Sequence, residues 1–193
     1  MLSVPKLQFS EPRHNLPGRK GVATAEDRFT IAFARAYFLN AHKIHRGSLK
    51  TKVAMAREIP ITGFGISDLM TVSWAPEVGL VQNFEEFIES ARPSSRAFEV
   101  KLNDWRGGLT QATRYRFFSH QSILVLPTDV CEKAALYLDT FRKVKVGIWS
   151  FETKTGAINV YHTPRLNVPK SPRHHLDALR KVNKATKRVL PIA

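Results

Sequence analysis

The sequence predicts an α/β fold, a mixed central β-sheet flanked by helices. Three observations predict it. A chain of 193 residues, 43% of them hydrophobic, suits one compact unit with its own core. Segments with apolar residues three and four apart are separated by short apolar strands, and the order helix, strands, helix, strand, helix, hairpin is that of helices packed around a sheet.

The elements follow in order. Residues 1–20 hold three prolines and four basic residues with little periodicity, and read as a flexible basic arm. From Ala23 to Ala41 the set Phe29, Ala32, Phe33, Ala36 and Tyr37 marks an amphipathic helix, with Thr24 as its cap, Asp27 three residues on and Glu26 in the first turn. Lys52 to Ile61 and Gly63 to Trp74 read as neighbouring strands. Asn83 to Ala91 has helical spacing, and Arg92-Pro93-Ser94-Ser95 then breaks the chain before a strand from Ala97 to Leu102, as an insertion between core strands would. Asp104 to His120 is a second strong helix, weakened at its start by Gly107 and Gly108. A buried strand, Ile123 to Leu126, precedes a third helix, Val130 to Arg142. Val144 to Phe151 and Ala157 to Tyr161 make a late hairpin around Lys154-Thr155-Gly156. Arg173 to Val189 is a basic helix or a disordered tail. The domain is expected over residues 21–164, with residues 165–193 as a basic tail or helix.

Charge points to a partner. Thirty Lys and Arg against sixteen Asp and Glu leave a net +14, which attracts polyanions. Half of that excess lies in residues 165–193, where eight cations face one acid, Asp177. The single cysteine, Cys131, excludes an internal disulfide and a cysteine-based zinc site, and reads as a small core residue rather than a nucleophile. No signal peptide or membrane span is visible, so a cytoplasmic protein is expected, nucleoid-associated if prokaryotic.

The chemistry concentrates in Ala97-Phe98-Glu99-Val100-Lys101. Strand alternation puts Glu99 and Lys101 on one face and Phe98 and Val100 on the other. Earlier, Asp68 is a lone carboxylate in an apolar strand, and antiparallel pairing could bring it close to Glu99. Phosphodiester hydrolysis uses this combination. Asp68 and Glu99 would hold a hard cation such as Mg²⁺, which polarises the phosphate or acidifies a water. The Lys101 side chain can orient or help deprotonate that water and offset charge building on the phosphate.

At these residues the sequence resembles the PD-(D/E)XK superfamily of restriction-endonuclease-like nucleases, in its RecB-like and archaeal-resolvase-like branch. The pattern reads Ser67-Asp68, then Glu99-Val100-Lys101, with Ser67 in place of the proline of the family name. Glu26 matches an acid on an N-terminal helix, and Gln111 and Tyr115 match a Gln and a Tyr on the helix after the lysine. The resemblance covers roughly residues 23–126. It implies a restriction-endonuclease-like core and a Mg²⁺-dependent nuclease acting on DNA, with Mn²⁺ able to substitute; the sequence leaves endonuclease and exonuclease both open, with endonuclease favoured. It further implies Glu26, Asp68 and Glu99 as metal ligands, Lys101 assisting the water, and Gln111 positioning the scissile strand.

Other readings remain open. Asp68 can be a strand-end turn residue, Glu99 and Lys101 a surface ion pair, and Glu26 an acid favoured by the helix dipole. The chain could also be a non-catalytic nucleic-acid-binding or assembly protein retaining the fold. Arg114 is placed to reach phosphate, and Arg173, Arg180, Lys181, Lys184, Lys187 and Arg188 would add contacts independent of base sequence. A homodimer or larger nucleoprotein assembly would suit cutting both strands. The histidines form no metal set and are expected to be solvated or DNA-facing. Trp105, Tyr115 and Phe118 are expected in the core.

Overall fold

A computed structural model describes residues 24–40, 52–75 and 83–186. The arm at residues 1–20 and the cations Lys187 and Arg188 lie outside them. The first helix, α1 (Ala25–Leu39), starts as its sequence dictates. Asp27 N donates to Thr24 Oγ1 at 3.0 Å while Thr24 N donates back to Asp27 Oδ2 at 2.8 Å, which satisfies two otherwise orphaned donors.

Among the described residues six strands form one mixed sheet in the order β1-β2-β3-β4-β5-β6. They are β1 (Lys52–Ile61), β2 (Gly65–Trp74), β3 (Ser94–Val100), β4 (Gln121–Leu126), β5 (Gly147–Glu152) and β6 (Ala157–His162). β1, β2 and β3 are successively antiparallel, β3, β4 and β5 are parallel, and β6 returns antiparallel to β5. The helices α2 (Phe84–Ala91), α3 (Trp105–Tyr115), α4 (Thr128–Ala135), α5 (Leu138–Val144) and α6 (Pro172–Thr186) complete the described elements.

One sheet face buries Val53, Met55, Leu69, Phe98, Val100, Ile123, Val125 and Trp149 against Phe29, Phe33, Ala36 and Tyr37 of α1. The other face carries two clusters. Ala54, Met70, Val72, Trp74 and Ala97 pack with Phe87 of α2, Tyr115 of α3 and Ala178, Leu179 and Val182 of α6. Leu124, Leu126 and Ile148 pack with α3, α4 and α5.

The structure departs from the sequence pattern in several places. β3 begins at Ser94, inside the expected break, because Ser94 Oγ and Ser73 Oγ meet at 2.8 Å across the strands and Ser95 N donates to His120 Nδ1. The inserted segment before it packs on the sheet, with Phe87 buried edge-on to Trp74. α3 stops at Tyr115 rather than His120. There the chain turns through Phe117 and Phe118, and Ser119 Oγ donates to Tyr115 O. The expected helix from Val130 to Arg142 is two helices, α4 and α5, parted at Leu136 and Tyr137, where the Tyr137 ring lies 5.2 Å from Trp105. Val144 closes α5 instead of opening the hairpin, and Lys145 caps it at φ 55°. From Pro172 the basic segment is a helix whose apolar side is core.

His120 and His175 are not solvated. Their rings meet edge to face at 4.7 Å, and His175 Nδ1 lies 2.8 Å from Phe118 O. They tie α6 to the turn after α3. Cys131 is buried, and burial pushes its thiol up to about 12, as expected of an inert core residue. Among the described residues, no helix is long and apolar enough to cross a membrane.

Candidate active site

β2 and β3 are paired up to Leu69 opposite Phe98, and Asp68 and Glu99 are the next residue beyond that pair on each strand. Phe98 and Val100 face α1, so alternation turns Glu99 to the α3 side. Asp68 Oδ2 accepts from Val100 N at 2.8 Å, which fixes one carboxylate across the end of the strand pair.

Lys101 continues β3 by one step, its N–H donating to Val125 O at 3.1 Å. Its ammonium lies 2.9 Å from Glu99 Oε1 and 3.0 Å from Glu26 Oε1, so α1 supplies an acid from its first turn. Glu99 Oε2 takes a very short hydrogen bond from Tyr115 OH, which also lies 2.6 Å from Ile66 O. The side chains run from closed to open. Glu99 is 2% exposed, Lys101 22% and Glu26 38%.

Gly108 makes room for this arrangement. A Cβ there would lie 2.7 Å from Leu124 Cδ1 and 2.8 Å from Lys101 Cγ, so α3 can approach β3 and β4 only with glycine. Gly107 faces its own cap, where Asp104 Oδ1 accepts from Gly107 N at 2.9 Å and a Cβ would strike Asp104 Oδ2. Of the two glycines that weaken the helix in isolation, packing calls for Gly108, whereas at Gly107 the obstacle is the exposed Asp104 side chain of the cap.

The electrostatics are those of carboxylates crowded out of water. Burial, then the Glu99 charge, push Asp68 up to about 8 despite the hydrogen bond from Val100. Burial also raises Glu99, against hydrogen bonds from Tyr115 and Lys101. Burial alone would lower Lys101, but its bonds to Glu99 and Glu26 and the Asp68 charge hold it above the ordinary lysine range. Tyr115 is raised by burial and by the Glu99 and Asp68 charges, so its hydroxyl remains a donor.

The structure thus brings together Glu26, Asp68, Glu99 and Lys101, with Tyr115 as a fifth member. Tyr115 is a core residue whose hydroxyl reaches the site. Its position four residues after Gln111 was the available signal, because a buried tyrosine hydroxyl needs a partner. Gln111 itself is exposed, one turn before Tyr115 on the same side of α3. Among the described residues, no three His, Cys, Asp or Glu side chains form a group ready to hold a metal ion. Here the Lys101 ammonium stands between Glu26 and Glu99.

The expected phosphate contacts are scattered. Arg114, Arg173 and Lys184 are exposed. Arg180 is bound to Glu85 at 2.7 Å, and Lys181 to Asp177 at 2.7 Å and Pro60 O at 2.8 Å. No protein-family model matches the chain, and no curated protein matches its sequence.

Proposed function

We propose that this chain is a metal-dependent nuclease with a restriction-endonuclease-like core, hydrolysing phosphodiester bonds of DNA with Mg²⁺ or Mn²⁺. The observation that carries the reading is the convergence of Asp68, Glu99 and Lys101 at one sheet end, with Glu26 beside them. The donor set is of the oxygen-rich kind that a hard divalent cation takes, although the carboxylates would have to draw together once Lys101 gives up its place between Glu26 and Glu99. Three carboxylates face one ammonium, and the upward push on Asp68 and Glu99 is the strain that a cation would relieve.

Asp68 and Glu99, with Glu26 at the open side, would hold the ion, and a bound ion would supply Lewis-acid polarisation of the phosphate and a more acidic water. The chain's own residues do the rest. Tyr115 fixes the Glu99 carboxylate through Oε2. Lys101 stays protonated, so it serves as a donor to the water or to the phosphate rather than as a base. Donating outward requires it to release Glu26, the more exposed of its two partners. Gln111 and Arg114, exposed along α3, would meet the scissile strand and its phosphates. Cutting of internal bonds, by a homodimer with one centre per strand, is the simplest arrangement.

One observation favours a non-catalytic nucleic-acid-binding module: Lys101 already neutralises the acids that a metal would need. Labelled linear and circular DNA, incubated with Mg²⁺, Mn²⁺ or EDTA, separates the two. Cutting of the circle with either metal, reduced about 10²-fold or more in Lys101→Ala, is expected of the nuclease. Binding without cutting under every condition would leave the module.

A further inference from the structure

Two consecutive residues of β1 break the rules of a strand beside the candidate site. Glu58 has φ 52°, a left-handed conformation that costs a non-glycine residue on the order of 1 kcal/mol or more. Its effect is to shift the alternation. Val53 and Met55 pack on the α1 face, whereas Ile59 and Ile61 pack on the opposite face together with Ala54 and Ala56. Glu58 falls between the pairs Arg57 with Leu69 and Ile59 with Ser67, which puts it opposite Asp68.

Arg57 is the second exception. It is 5% exposed, and its Nε and Nη1 are buried with no hydrogen-bond partner among the described residues. Among those residues Nη2 alone is engaged, 3.4 Å from Asp27 Oδ1 and 3.6 Å from Glu58 Oε1. A buried guanidinium so incompletely bonded is poor for stability, and an apolar side chain would serve the core better. Its placement explains it better. Asp27 uses Oδ2 for the α1 cap and Oδ1 for Arg57, so it joins the first turn of α1 to β1. Glu26, the preceding residue of that turn, reaches Lys101. β1 in turn is paired with β2, which carries Asp68.

We infer that Arg57 and Asp27 are a positioning pair that locks the first turn of α1 to the β1–β2 ladder and so sets Glu26 against Asp68, Glu99 and Lys101 for cation binding. The inference rests on the proposed metal-dependent reading. Neither residue touches the reacting atoms; both act through Glu26.

Direct Mn²⁺ binding to the purified full chain without DNA, followed by electron paramagnetic resonance, tests it. Arg57→Gln is expected to weaken Mn²⁺ binding about tenfold, the scale on which partners of metal ligands act. Glu26→Gln should weaken it comparably, and the double variant no more than Glu26→Gln alone, because the pair acts through that carboxylate. Asp27→Asn keeps an acceptor for Thr24, and so the α1 cap, while removing the charge that draws Arg57. It should reproduce the Arg57→Gln effect, and it carries the test if Arg57→Gln does not fold. Val182→Ala, a core truncation in α6, controls for lost stability and should leave Mn²⁺ affinity unchanged. Unchanged affinity in Asp27→Asn or a folded Arg57→Gln, or multiplied losses in the double variant, would overturn the positioning pair while leaving the metal site standing. Absence of Mn²⁺ binding by the unmodified protein would overturn both.

Discussion

Asp68 illustrates how a site residue can oppose stability. Its carboxyl is pushed from 3.8 up to about 8 by burial and by Glu99, so the folded chain prefers it protonated. Its contribution to stability is therefore present in full below about pH 3.8, declines as pH rises, and is gone above about pH 8. Asp68→Asn, which still offers Val100 N an acceptor, is expected to raise the thermal midpoint in EDTA at pH 8.5. The gain is on the order of 1 kcal/mol after allowance for its partial exposure, or about 2 to 4 °C for a chain of this size. It should shrink at pH 5, and added Mg²⁺ should close the gap by stabilising only the unmodified protein. A lower midpoint in the variant at pH 8.5 would remove the claim of electrostatic strain. Gly108 makes a second residue-scale case. Gly108→Ala places a methyl against Leu124 and the Lys101 stem, and should cost about 1 to 3 kcal/mol in urea unfolding by overpacking.

Among the elements, α6 shows where sequence patterns succeed and where they stop. The basic residues of 172–186 read as a helix or tail, yet Ala178, Leu179 and Val182 recur at helical spacing and are buried against the sheet. Leu179→Ala is therefore expected to cost about 2 to 4 kcal/mol by urea denaturation, a loss that a free tail would not produce. The α6 junction should also respond to acid. Burial, then the neighbouring His175, hold His120 down at about 4, so the folded chain keeps it neutral while the unfolded chain protonates it near pH 6.5. Stability is thus present above about pH 6.5 and is lost as pH falls toward about 4. His120→Asn, which retains an acceptor for Ser95 N, should show a shallower fall of the unfolding midpoint across that window; equal slopes would exclude His120 as the source. The elements legible in the sequence were those decided locally. The cap of α1 by Thr24 and Asp27, and β1 from Lys52 to Ile61, follow from spacing. The break between α4 and α5, the start of β3 at Ser94, and the covering of the sheet by α6 depend on partners distant in sequence. The site divides the same way. Strand alternation placed Glu99 and Lys101 on one face, and order suggested Asp68 and Glu26. The spacing of Tyr115 from Gln111 hinted at a role for its hydroxyl, but the bond to Glu99 depends on how α3 packs on β3, and the burial of Arg57 under α1 had no local signal.

For the whole molecule, a net charge of +14 suggests nucleic acid but does not say which cations meet it. The structure separates them. Arg114, Arg173 and Lys184 point into solvent, whereas Arg180 is held by Glu85 with its guanidinium 5.9 Å from the Phe84 ring, and Lys181 is held by Asp177. Binding to DNA releases roughly 0.9 counterion for each phosphate neutralised, so the slope of log affinity against log salt counts working cations. Fluorescence anisotropy with a labelled duplex in EDTA, across a range of KCl concentrations, reads that slope without cleavage. Arg173→Gln and Lys184→Gln should each lower its magnitude by up to about 0.9, and the two together by the sum, because the positions are independent. Arg180→Gln should lower it less, since Glu85 already competes for that guanidinium. A full loss of about 0.9 in Arg180→Gln would mean that the pair opens on binding and that α2 moves away from α6 to expose a phosphate contact. A slope near zero for the unmodified protein would remove DNA as the partner, whatever the charge of the chain.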